Sequence, residues 1–87
     1  MDATKIVGWN LRKIRVDRGL TLEDLAGAAE VESSFLAKVE RGQANPTLAF
    51  LDKLVKVLKI RLVELCVEPV PGAPRPKAMP RGRKPGR

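Results

Sequence analysis

The stretch "VESSFLAKVERG", residues 31–42, decides how the rest of the chain is read. Wound as a helix, it places Phe35, Leu36, Val39 and Glu40 on one face and Ser33, Ser34, Ala37, Lys38 and Arg41 on the other. The outward set is two hydroxyls, a methyl and two cations. The inward set contains a carboxylate among apolar residues, where an unpaired charge is costly.

Working outward, only Glu30-Val31-Glu32 separates this segment from an earlier helix that opens at Thr21, with Asp24 three residues on as its capping partner. That helix carries Leu22, Leu25, Ala26 and Ala29, and Ala26 is small enough to admit a neighbouring helix. A link this short makes the two helices meet steeply, with Val31 plugged between them. Upstream, a helix from about Thr4 to Arg18 sets Val7, Leu11 and Ile14 on one stripe, and Gly19 stops it. Trp9 falls roughly opposite that stripe, either exposed or packed beneath a neighbouring chain. Downstream, "QANP" is a turn, and Pro46-Thr47 opens a fourth helix through Leu58 with Leu51, Leu54, Val55 and Leu58 inward. A short fifth helix, about Arg61 to Val67, is apolar nearly all round. No segment reads as a strand, so the expected fold is all-α, a compact five-helix domain over residues 1–68.

From Glu68 onward the composition changes. Residues 69–87 hold six of the seven prolines, three of the seven glycines, six Lys or Arg and no acid. Such a segment buries too little to offset its ordering entropy, and it reads as a disordered basic tail. Residues 1–68 balance eleven basic against ten acidic side chains, so nearly all of the net charge of +7 belongs to the tail. A basic excess points to a polyanionic partner.

Composition also excludes. The chain has no histidine or tyrosine and one cysteine, Cys66, which removes most metal and nucleophile–base constellations and any disulfide framework within one chain. Neither a signal peptide nor a run of about 18 apolar residues is present. The expectation is a soluble cytoplasmic protein without cofactor or metal, and not an enzyme.

Taken in order, Gly8, Leu11, Arg15, Gly19, Leu20, Leu25, Ala26, Val31, Leu36, Val39, "ERG" at 40–42, "NPTL" at 45–48, Leu51, Leu54 and Leu58 resemble the Cro-like, or XRE, helix-turn-helix family of phage repressors and bacterial regulators. The resemblance covers residues 7–65, with the helix-turn-helix itself at about 22–41. It implies a phage-repressor-like domain that binds double-stranded DNA, with helix 33–41 in the major groove. Ser33, Ser34, Ala37 and Lys38 then meet base edges, Lys38 favouring guanine O6/N7 and the Ala37 methyl suiting thymine. Arg41, Gln43 and Asn45 hold phosphates. Arg15 is the expected ion-pair partner of Glu40.

Three positions depart from the family's pattern. Glu30 stands where glycine usually supplies a positive φ. Glu32 replaces the usual Ser or Thr cap, passing that role to Ser33. Leu22 replaces a phosphate-bracing glutamine, leaving the backbone amides of that helix start to make the contact.

Two readings stand for the remaining apolar surface. Phe50, Val57, Val63 and Val67 either complete the core of one chain or, the preferred reading, form with Leu62 and Cys66 the interface of a homodimer reading a partly palindromic operator. In the tail, "PRGRKPGR" at 80–87 resembles an AT-hook. Arg81, Gly82, Arg83 and Lys84 would then lie in a narrow minor groove; general phosphate attraction or an inert, solubilising role are the other readings. An antitoxin-like module, binding its own promoter and a protein partner, is the alternative function.

Overall fold

A computed structural model describes residues 2–69. It contains four α-helices, α1 (Ala3–Asp17), α2 (Leu22–Ala29), α3 (Ser33–Glu40) and α4 (Leu48–Leu58), followed by one 3-10 turn, Leu62–Leu65. There is no strand among the described residues.

Each helix start has a chemical reason, α3 excepted. The Asp2 carboxylate accepts from the Lys5 amide at 3.1 Å and opens α1. Thr21 and Asp24 form a reciprocal capping box at α2: the Asp24 amide donates to the Thr21 hydroxyl at 2.9 Å, and the Thr21 amide to the Asp24 carboxylate at 3.1 Å. Thr47 accepts from the Phe50 amide at 3.0 Å, so it caps α4 and the helix proper begins at Leu48.

Every element contributes to the core, α4 most of all with Leu51, Leu54, Val55 and Leu58. Leu11 from α1, Leu25 from α2, Leu36 and Val39 from α3, Leu54 from α4 and Leu65 from the 3-10 turn are essentially removed from water. Val7 and Ile14 are only partly buried. The fully buried side of α1 is Ile6, Gly8, Asn10, Leu11 and Arg15, which mixes polar with apolar groups. Trp9 is half-buried.

The C-terminal segment differs from the expected helix of Arg61 to Val67. Its bonds run three residues back, from the Glu64 amide to the Arg61 carbonyl and from the Cys66 amide to the Val63 carbonyl, both at 2.9 Å. Pro69 and Pro71 keep an α-helix from running on past this segment, since neither has an N–H to give to the Leu65 and Val67 carbonyls.

Candidate nucleic-acid interface

Helix α2 ends because Glu30 turns left-handed, with φ 61° and ψ 47°. The Val31 amide then reaches back to the Ala26 carbonyl at 3.0 Å, closing the helix end. Glutamate thus occupies a conformation that suits glycine, at a cost of about 1–2 kcal/mol. Val31 sits half-buried against the core and Glu32 returns to extended backbone, which points α3 away from α2.

Glu32 is the residue before α3, and its side chain makes no capping hydrogen bond. Ser33 is the first helical residue, not the cap. This corrects the reassignment of capping to Ser33: a cap must precede the helix in extended backbone, and that position belongs to Glu32. Both serine hydroxyls are therefore not used as caps. Ser34 and Lys38 are exposed, and Ser33 and Ala37 are partly exposed.

The opposite side of α3 is fastened. Leu36, Val39 and Glu40 are buried, and the Phe35 ring meets Phe50 of α4 edge-on at 5.0 Å. Glu40 lies across from Arg15 of α1: Nε donates to Oε2 at 2.7 Å and Nη2 to Oε1 at 3.0 Å. The third arm of the guanidinium, Nη1, donates to the Leu20 carbonyl at 2.7 Å. Arg12 adds a looser charge, with Nη1 at 4.0 Å from Glu40 Oε1. Arg15 thus joins α1, the turn before α2 and α3.

The end of α3 rests on the beginning of α1. A Cβ built on Gly8 would lie 2.4 Å from the Val39 carbonyl oxygen and 2.6 Å from that of Glu40, so only glycine permits this approach. Gly42, at φ 72°, takes the chain out of the helix. Beyond it, Arg41 Nε donates to Gln43 Oε1 at 3.0 Å, which joins two of the expected phosphate-contacting side chains to each other. Asn45 is exposed nearby in the chain. The Leu22 side chain packs against the core, and the capping box takes the Thr21 and Asp24 amides but not those of Leu22 and Glu23.

The family model for the helix-turn-helix, HTH_3, matches residues 11–65. The chain belongs to this helix-turn-helix family. Among its relatives, the HTH-type transcriptional regulator y4dJ of Sinorhizobium fredii is 37% identical over 65 residues, 75% of this chain and 84% of that one. The regulator SinR of Bacillus subtilis is 34% identical over 64 residues, 72% of this chain but 58% of SinR. Among solved structures, the restriction-modification controller protein C.AhdI from Aeromonas hydrophila superposes with a TM-score of 0.69 at 37% identity, covering 71% of this chain and 94% of that one. A hypothetical transcription factor from Neisseria gives 0.74 at 26% identity, covering 78% of each chain. This family member is accordingly a transcriptional regulator with a helix-turn-helix DNA-binding fold, and its relatives are regulators, not enzymes.

The apolar residues expected at an interface divide into two groups. Phe50 and Val57 are partly buried and pack against the core. Leu62, Val63 and Val67 are 41%, 53% and 57% exposed, and Cys66 is an exposed free thiol. Arg81, Gly82, Arg83 and Lys84 lie outside the described residues. No helix among the described residues is long and apolar enough to cross a membrane. Sequence reasoning missed Asn10, a buried amide bonded to the C-terminal segment. The signal was there: Asn10 stands four residues after Ile6 and one before Leu11, on the inward side of α1.

Proposed function

We propose that this regulator binds a partly palindromic operator as a homodimer, with α3 of each chain in the major groove. The observation that carries the reading is the split character of α3: Ser34 and Lys38 face water while Leu36, Val39 and Glu40 on its back are pinned. A helix fixed from behind and polar in front presents its side chains to base edges at little further ordering cost. Lys38 reads guanine, the Ser33 and Ser34 hydroxyls donate or accept, and the Ala37 methyl suits thymine. Arg41, Gln43 and Asn45 hold phosphates, with the Arg41–Gln43 bond opening to do so. The Leu22 and Glu23 amides at the start of α2 supply a further phosphate contact through the backbone.

One chain offers few base contacts, so a second copy at a spacing of about 34 Å, one DNA turn, is needed for specificity. The exposed Leu62, Val63, Cys66 and Val67 supply the self-complementary surface, flanked by Phe50 and Val57. The tail, with Arg81, Gly82, Arg83 and Lys84, adds phosphate attraction. Acting on chromosomal DNA, the protein works in the cytoplasm.

Selection of duplexes from a random pool by the full-length protein tests this reading. The expected product is one motif repeated with two-fold symmetry. Replacement of Lys38 by alanine should change preference at one or two positions per half-site, and Arg41→Ala should weaken all sites alike. Removing residues 75–87 should lower affinity and flatten its salt dependence. No enrichment of any duplex would refute the proposal.

A further inference from the structure

The buried face of α1 carries one amide, Asn10. Its Nδ2 donates to the Leu65 carbonyl at 3.0 Å and to the Val67 carbonyl at 2.7 Å. These are the two carbonyls whose helical partners would be Pro69 and Pro71. Asn10 supplies the two donors that the prolines remove, and a side-chain amide has two hydrogens to give.

Those two bonds, together with the buried Leu65 side chain, tie the C-terminal apolar strip to α1. Leu65 is fully buried, while Leu62, Val63 and Val67 around it stay outward. A four-residue 3-10 turn has too few bonds of its own to hold an orientation. On the same helix, Arg15 grips Glu40, and Gly8 lies beneath the last carbonyls of α3. Helix α1 is thus the common reference for the reading face and the apolar strip.

We infer that Asn10 is a positioning residue for operator geometry. By fixing the strip against α1, it sets the separation and relative rotation of the two α3 helices in a dimer, and with them the spacing between half-sites. The inference rests on the dimeric reading above and adds a specificity determinant that is itself buried within the chain. Inserting one base pair moves a half-site by about 3.4 Å and turns it by roughly 35°, which a rigidly held dimer does not absorb.

The test uses the full-length protein and duplexes carrying its selected half-sites at spacings from two base pairs shorter to two longer. Affinity at each spacing, dimer mass and melting temperature are measured for the wild type, Asn10→Ser, which keeps one donor, and Asn10→Ala, which keeps none. The wild type should favour one spacing by about tenfold or more over spacings altered by two base pairs. That preference should fall stepwise in the two variants, while base preference within each half-site is unchanged. A uniform loss of affinity at every spacing would mean that Asn10 only stabilises the fold, and would overturn the inference. Should Asn10→Ala fail to fold, Asn10→Ser decides: full spacing preference at a lower melting temperature overturns it equally. A wild-type protein that selects a single half-site, or has the mass of one chain, instead refutes the dimeric reading on which the inference stands.

Discussion

Arg15 and Glu40 meet through two hydrogen bonds, 2.7 and 3.0 Å long, with their side chains 10% and 2% exposed. The pair joins the longest helix to the buried side of α3. Its contribution is orientation rather than net stability, because desolvating two charges offsets most of their attraction. Removing one partner is different. Glu40→Ala leaves the Arg15 guanidinium buried with one carbonyl as its acceptor, and should cost about 3–5 kcal/mol in urea unfolding. The double variant Arg15→Met, Glu40→Leu should recover much of that loss. It should still bind DNA less selectively, because nothing then fixes the roll of α3. Equal losses in the single and double variants would contradict this view.

The two helix glycines should respond in opposite ways. Alanine at Gly8 brings a methyl within 2.4 Å of the Val39 carbonyl oxygen, forcing α1 and α3 apart, and should destabilise by about 1–3 kcal/mol. At Gly27 an added Cβ meets nothing within 4 Å. Gly27→Ala should therefore stabilise α2 by roughly 0.5–1 kcal/mol through backbone entropy alone. Thermal unfolding of both variants checks the pair of signs.

Glu30 has a φ of 61° and an exposed side chain. Glycine there relieves about 1–2 kcal/mol of left-handed strain and gives back about 0.4–1 kcal/mol through a freer unfolded chain. The net gain should be roughly 0.5–1 kcal/mol, which raises the melting temperature by several degrees in a domain of this size. A lower melting temperature for Glu30→Gly would show that the turn does not carry this strain.

Much of this architecture is legible in the sequence because it depends on neighbours. Leu11, Leu25, Leu36 and Leu54 fall on inward stripes by helical period, and all four are buried. The positive φ at Glu30 is what the family resemblance implies for that turn position, where glycine is usual. The C-terminal segment was less legible. Five apolar residues, Leu62, Val63, Leu65, Cys66 and Val67, broken only by Glu64, do not distinguish an α-helix from a 3-10 turn, and two of the segment's bonds come from Asn10, 55 and 57 residues away in sequence. The outward face of α3 is likewise a matter of period, whereas the bond between Arg41 and Gln43 depends on the local turn at Gly42.

The exposed strip supports a prediction about assembly. Val63 is 53% exposed, so a charge there is tolerated by the isolated chain. In a two-fold interface it would be desolvated against its own copy. Val63→Glu should keep the helical content and shift the sedimenting mass from two chains to one. It should also weaken operator binding far more than binding to a single half-site. A variant that remains dimeric would move the interface elsewhere.

Methylation interference on the selected operator addresses the central claim most directly, because guanine N7 lies in the major groove and adenine N3 in the minor. If the exposed Ser34 and Lys38 meet base edges as proposed, N7 methylation should block binding at guanines in two major-groove segments about one turn apart. The Lys38→Ala protein should become insensitive at one guanine in each. Interference confined to adenine N3, or an identical pattern with and without the Lys38 ammonium, would contradict a reading helix seated in the major groove.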